Sequence, residues 1–401
     1  MLPNKESHAI YSPDILKTLV DLLLQGHFEQ AQEHCVFLLK FYPKDIRFWF
    51  YIGLSCFYLR RFEEAIDAYQ HVLDMREESV PLSSVAAVCR FTRFAAIHQS
   101  TALIITGKFK KGFEMNQYRL AHMFEGGFSR EKQWKGEPLG EKTILVLLNC
   151  WGLGDAIFFM RYVPLIQQEH PQCKLLVSVQ QELYCLFQHL GVPLLSLSVP
   201  EMINYPYDCF VHLSNLPLYC KTDISNVPPP ISLPCNKRPV PKKIALAWGA
   251  ARGGPITRIP EVQGPPVPRM MEVEELLPLL QLPQFHFVSL QKPTTPHEEQ
   301  FLDQWGVERP VLHTFTDTVR ILESCELVIS VDCIIVHLAA TMGIPTWMMH
   351  CYNGYENPFW LASRRDTPWY PSVTLFSQEK RGSWREVVQA VLHEVTKFGK
   401  S

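Results

Sequence analysis

Thr143-Ile144-Leu145-Val146-Leu147-Leu148-Asn149-Cys150-Trp151-Gly152-Leu153-Gly154-Asp155 decides how the larger part of this chain folds. Residues 143–148 are a short unbroken apolar run, the pattern of a strand buried on both faces of a parallel sheet. Two glycines then make a turn, and a helical pattern follows through about Gln168. Strand, glycine turn and helix in that order open a βαβ unit.

Working toward the C-terminus, the pattern predicts strands at 174–179 and 193–197 with a helix at 182–190 between them. A proline-rich stretch, SNVPPPISLPCNKRPVPKK, interrupts the alternation and reads as a linker over 226–242. The alternation restarts with Ile244-Ala245-Leu246-Ala247-Trp248, followed by a Gly/Pro-rich loop over 249–268. Strands are expected at 285–290, 311–315, 327–331 and 345–349, with helices at 272–281, 297–305, 317–324 and from 332 to Gly343. A tail helix is expected at 383–398. Two strand–helix series split by a linker predict two Rossmann-like halves facing a cleft, 126–225 and 243–401.

Toward the N-terminus the chain repeats itself. Phe28 recurs as Phe62, Ala31 as Ala65, Cys35 as Tyr69 and Leu39 as Leu73, each 34 residues on. That period belongs to helix-turn-helix repeats of the tetratricopeptide type. Residues 12–125 therefore read as helical repeats after a short tail, 1–11. Trp49 and Gly53 fit the second repeat and Pro43 stops the first, while a third pair is less regular: its stretch 80–106 is too long, and its closing helix, GFEMNQYRLAHMF over 112–124, has Gly112 where the earlier units have alanine. Such an array either offers a groove for a peptide or buttresses the body.

With 47% hydrophobic and 19% charged residues, the 401-residue chain is neither disordered nor collagen-like. A formal net charge of -2 argues against a broad nucleic-acid surface. No run approaches the roughly 18 apolar residues of a membrane span, and the N-terminus lacks a signal-peptide pattern. The 12 cysteines show neither CxxC pairs nor zinc spacing, which suits a reducing cytoplasm.

Candidate chemistry gathers at the ends of the predicted strands. Gly152-x-Gly154 invites a dinucleotide, but Ile157 stands where the third glycine belongs, and no clear acid ends the second strand. Asp155 reads either as the N-cap of its helix or as a general base. Ser330-Val331-Asp332-Cys333 leads a buried strand into a helix N-terminus, where backbone N–H groups attract a diphosphate. His337, one turn in, is either a packed histidine or a ligand contact. Gln291 and Lys292 end another strand, and Arg258 within the long loop and Arg269 just after it are candidate phosphate ligands. P-loop, HExxH and GxSxG motifs are absent from the sequence.

The ordered set of Trp134-Lys135-Gly136-Glu137-Pro138-Leu139, Gly152-Leu153-Gly154-Asp155, Arg161-Tyr162-Val163-Pro164, Asn215-Leu216-Pro217, Val288-Ser289-Leu290-Gln291-Lys292, Ser330-Val331-Asp332, His337-Leu338-Ala339 and Asp366-Thr367-Pro368-Trp369-Tyr370-Pro371 resembles a known family. It is similar to bacterial proteins that join tetratricopeptide repeats to a GT-B glycosyltransferase body, related to the heptosyltransferase (glycosyltransferase family 9) group.

The resemblance implies an α plus α/β chain: repeats, then a GT-B fold with an acceptor-side half and a nucleotide-sugar-side half. It implies Asp155 as the base. It places a nucleotide-diphospho-sugar donor near Gly152, Gly154, Arg269, Gln291, Lys292, Ser330, Asp332, Cys333 and His337, with no metal and no further cofactor. Cys333 stands where the family has threonine, and the Gly/Pro stretch after Trp248 is extra. Both departures favour the alternative of a non-catalytic repeat scaffold with a degenerate transferase domain.

Overall fold

The computed structural model describes residues 13–75, 85–149, 151–250, 269–352, 357–361 and 363–398. The predicted tail and most of the 249–268 loop, Arg258 included, lie outside the described residues. The chain divides into two compact units, Met1–Ala102 with Pro255–Pro266, and Leu103–Gly254 with Val267–Ser401.

The first unit is built of helical hairpins. Its helices are α1 (Pro13–Gln25), α2 (Phe28–Leu39), α3 (Ile46–Tyr58), α4 (Phe62–Asp74) and most of α5 (Val85–Ile105). The sequence echo spans α2 and α4 from their first residues, Phe28 and Phe62, to Leu39 and Leu73. Asp45 caps α3, its carboxylate accepting the Arg47 backbone N–H at 3.0 Å. Ala31 and Ala65 are fully buried where helices approach. Gly53 is small for a reason: a Cβ there would lie 2.6 Å from Cε1 of the buried Tyr69.

The second unit holds two parallel sheets. Before the first come α6 (Phe109–Asn116) and α7 (Ala121–Glu125). The first sheet contains β1 (Thr143–Leu147), β2 (Lys174–Ser178), β3 (Leu194–Leu195) and β4 (Cys209–His212), with α8 (Leu153–Phe159), α9 (Val163–Glu169), α10 (Tyr184–Phe187) and α11 (Val199–Asn204) between them. After α12 (Leu216–Tyr219), the second contains β5 (Lys243–Ala247), β6 (His286–Ser289), β7 (Leu327–Val331), β8 (Thr346–His350) and β9 (Val373–Ser377). Its helices are α13 (Leu277–Leu280), α14 (Pro296–Gln304), α15 (Phe315–Glu323), α16 (Ile334–Thr341) and α17 (Trp384–Phe398).

The sheet orders are β3-β2-β1-β4 and β6-β5-β7-β8-β9. Each sheet therefore reverses its winding once, between β1 and β4 and between β5 and β7. Ligands of open α/β sheets collect outside the strand carboxyl ends at such a reversal. Alternate residues of each strand enter different cores, as the two-residue period requires. Leu145 and Leu147 pack with Phe128, Met202 and Phe210. Ile244, Leu246 and Trp248 pack with Leu276, Val388 and Val391. The remaining faces, Ile144 and Val146 from one sheet and Ala245 and Ala247 from the other, belong to one core shared by both halves.

The structure corrects the sequence reading in several places. Residues 311–315 form no strand: Val311 is 74% exposed. Thr314 there caps α15, its hydroxyl accepting from the Asp317 N–H while the Asp317 carboxylate accepts from the Thr314 N–H. That reciprocal cap satisfies donors an isolated extended segment would leave open. Strands β4 and β9 were not predicted, and β4 is only four residues long. The proline-rich stretch carries no helix or strand, yet Ile231 and Leu233 are buried in the shared core.

Replacing Gly53 with alanine is expected to destabilise the first unit by about 1–3 kcal/mol through overpacking. Adding Tyr69→Leu should recover part of that loss, since the clash is with that ring. Denaturant unfolding of the two single variants and the double variant checks this; additive losses would contradict it.

Candidate functional site

Gly152 enters α8 in an extended conformation open to any residue. Gly152 is the N-cap of α8 at φ -70°, ψ 161°. Asp155 sits three residues on, and its carboxylate accepts the Gly152 N–H at 3.0 Å. Asp155 is thus not itself the N-cap but closes the cap from inside the first turn. Trp151 is tied to the end of β2, its carbonyl accepting from Gln180 Nε2 at 3.0 Å.

The turn after β7 is the counterpart in the second half. Asp332 is buried, Cys333 is the N-cap of α16 with no side-chain cap bond, and α16 starts at Ile334. The two helices that leave the two reversal points abut one another. A Cβ on Gly154 would lie 2.7 Å from Cδ2 of His337. Gly154 is small so that α8 can approach α16.

His337 is enclosed in an aromatic cage. Its Nδ1 lies 3.1 Å from the Tyr370 hydroxyl, and its ring is 5.3 Å from that of Trp360. Burial, with the nearby Arg161 and Arg269 charges, pushes its pKa down to about 3, so the ring is neutral. Arg161 is itself buried and ties three segments together. It donates to the carbonyls of Phe158 (2.8 Å), Pro228 (3.1 Å) and Trp369 (2.9 Å). Its guanidinium carbon lies 4.5 Å from the Phe158 ring and 4.7 Å from that of Tyr370.

Charge concentrates where the two turns meet. Arg269 Nη1 lies 3.8 Å from the Asp332 carboxylate. Burial pushes Asp155 up to about 6, and the Asp332 charge adds to the rise; the Gly152 N–H, Arg269 and Arg119 pull the other way. Arg119 was missed in the sequence reading. It precedes β1 in a polar segment with no motif, and only the fold carries it here.

The other expected site residues serve the frame. Ser330 is fully buried, its hydroxyl donating to the Val331 carbonyl at 2.8 Å and lying 3.2 Å from Cys333 Sγ. Burial raises the Cys333 pKa, which keeps it a thiol. Gln291 Oε1 accepts from the N–H groups of Trp248 (3.1 Å) and Gly249 (2.8 Å), fixing the backbone beyond β5. Lys292 is exposed at the end of β6. Asp155, Asp332 and Arg269 are brought together beside the Gly154–His337 contact, with Ser330 bonded within the Asp332 turn, while Gln291 fixes the backbone at Trp248 and Gly249. Among the described residues no cluster of three or more His, Cys, Asp or Glu is placed to hold a metal, and no helix is long and apolar enough to cross a membrane.

No family model and no curated protein matches this chain. Solved structures do resemble it. The bacterial iron-containing dodecameric glycosyltransferase TibC of enterotoxigenic E. coli is 13% identical, with 65% of this chain and 78% of that one covered at TM-score 0.42. A glycosyl transferase family 9 structure from Veillonella parvula is 12% identical, with 66% and 97% covered at TM-score 0.44. An O-GlcNAc transferase of Thermobaculum terrenum is 11% identical over 96% of this chain and 92% of its own, at TM-score 0.26. At such scores and identities the likeness assigns neither family nor activity.

Asp155 gives the site a measurable signature. An ordinary aspartate titrates near ~3.9, whereas the folded value is about 6. Between those values the folded chain keeps a proton that the unfolded chain has released. The group's contribution to stability is therefore complete below about pH 4 and lost as pH rises through about 6. Asp155→Asn keeps an acceptor for the Gly152 N–H and removes the buried charge. Relative to the parent it should gain on the order of 1–3 kcal/mol between pH 4 and 7. His337 acts with the opposite sign in both proteins, so the comparison isolates the aspartate. Chemical denaturation across pH tests this, and parallel pH curves would contradict it.

Proposed function

We propose that this chain is a glycosyltransferase that moves a sugar from a nucleotide-diphospho-sugar to a hydroxyl acceptor. The observation that carries the reading is the Gly154–His337 approach. It sets the Asp155 turn, at one sheet's reversal point, against the helix that starts at the other's. The motif resemblance to GT-B transferases points the same way.

In this reading the donor diphosphate lies at the α16 N-terminus, beside Arg269 and Lys292, which supply positive potential as negative charge develops on the leaving group. Asp155 accepts the acceptor's hydroxyl proton. The acceptor oxygen bonds to the anomeric carbon, and the electron pair of the broken C–O bond leaves on the nucleoside diphosphate. A carboxylate with a pKa of about 6 is ionised at neutral pH yet basic enough to assist. Basic side chains and the helix terminus are read as serving the diphosphate without a metal. The helical hairpins are read as tetratricopeptide repeats that present a protein acceptor or tether a partner, in the cytoplasm.

A second reading, a repeat scaffold with a degenerate transferase body, draws on a specific observation. Ser330, Gln291 and His337 are already engaged in the frame, and Cys333 offers a thiol where a hydroxyl would serve phosphate better.

Thermal unfolding with a panel of nucleoside diphosphates separates the two. One of them, well above its Kd, should stabilise the chain by about 2.7 kcal/mol at a hundredfold excess. With the matching sugar donor, turnover should rise with pH through about 6. Asp155→Asn should abolish it while leaving nucleotide stabilisation intact. No stabilisation by any of the panel favours the scaffold, and full turnover by Asp155→Asn removes the aspartate from the mechanism.

A further inference from the structure

Near the carboxyl end of β4 a ring of contacts links side chains that the proposed chemistry does not use. Arg119 lies in a short 3-10 turn, Gln117–Leu120, and donates from Nε to Asn116 Oδ1 at 2.7 Å. Asn116 Nδ2 donates to the Ser214 carbonyl, just beyond β4, at 3.2 Å. The Ser214 N–H donates to Nδ1 of His212 at 3.2 Å, and the Ser214 hydroxyl lies 2.7 Å from the same nitrogen. A backbone amide can only donate, so Nδ1 is an acceptor and the neutral ring carries its proton on Nε2. The His212 ring meets Trp151 edge-on at 5.4 Å, and the Arg119 guanidinium lies 6.0 Å from that same indole. Trp151 leads directly into Gly152 and Asp155, which closes the ring on the candidate base.

Three members of this ring, Asn116, His212 and Ser214, are buried, so it is part of the core and not a surface accident. It sits at the winding reversal of the first sheet, where a bound molecule would otherwise reach furthest between the strands. We propose that Arg119 is a positioning residue for Asp155, holding the Trp151–Asp155 turn from the β4 side and bringing it a positive charge from the segment that precedes β1. The catalytic consequence rests on Asp155 being the base; the positioning itself does not.

The charged and titratable groups around Asp155 agree with this assignment. Asp332 and Arg269 face it from the second half, Arg119 from the turn, and Tyr370 feels its charge beside the neutral His337. Arg269 already serves Asp332. Arg119 is a cation supplied from the segment before β1 and anchored by a hydrogen-bond chain through Asn116 to Ser214. A lysine would keep the charge but not the planar donor aimed at Asn116.

The test uses the full chain with Arg119→Met, Arg119→Lys and Asn116→Ala, each also combined with Asp155→Asn. The difference in stability against pH between each variant and its Asp155→Asn partner reads the aspartate's ionisation without requiring turnover. Arg119→Met should move that midpoint upward by about half a pH unit or more. Arg119→Lys should leave it near the parent value while lowering kcat roughly tenfold or more, with little change in KM, because the turn is misplaced. Asn116→Ala, which frees Arg119 from its anchor, should lower kcat in the same way. A folded Arg119→Met with an unmoved midpoint overturns the proposal. If that variant does not fold, unchanged kcat and midpoint in both Arg119→Lys and Asn116→Ala overturn it. A moved midpoint with no turnover in any protein, the parent included, supports the positioning role and instead defeats the transferase reading.

Discussion

The close approach of Gly154 to His337 is the constraint from which the candidate site follows. A hydrogen at residue 154 lets the helix after β1 lie against the helix after β7, and any side chain there would meet the histidine ring. Because both helices start at strand carboxyl ends, their contact fixes how the two sheets' open ends face one another. The aromatic cage of Phe158, Trp360, Trp369 and Tyr370 fills the space behind the contact, and Arg161 bolts it to the proline-rich stretch. The halves therefore share one core instead of meeting as separate lobes.

That packing explains the electrostatics. A carboxylate placed against a filled interface loses water, which is the main reason Asp155 holds its proton to higher pH. The same desolvation keeps His337 neutral, so it adds no charge to the junction. The charge balance is left to Asp332, Arg269 and Arg119, drawn from three separate segments. A carboxyl group whose pKa is raised to about 6 is the chemical product of an arrangement whose first task is packing.

Much of the fold was legible because parallel strands buried on both faces leave unbroken apolar runs. Residues 143–148, 244–248 and 327–331 stand out for that reason. Strand β4 did not, because four residues are too few to carry a period. The 311–315 stretch misled because Val311, Thr314 and Phe315 favour strands in isolation, while the Thr314–Asp317 cap decides for a helix. At the site, Gly152 and Asp155 were visible as a turn. The reason for Gly154 lies on a helix far along the chain, and Arg119 is tied in through Asn116, Ser214 and His212. Contacts of that kind leave no local pattern. Gln291 and Ser330 were visible as strand-end residues, but only the geometry reveals that their polar atoms are spent on the backbone.

The most direct measurement is a crystal structure of the chain grown with the nucleoside diphosphate that stabilises it best. The diphosphate should lie at the start of α16, between the carboxyl ends of β5 and β7, with Arg269 turned toward it and the Asp155 carboxylate facing the space beside it. A nucleotide bound elsewhere on the chain, or an Asp155 carboxylate sealed off from the bound molecule by the α8–α16 contact, would contradict the transferase reading.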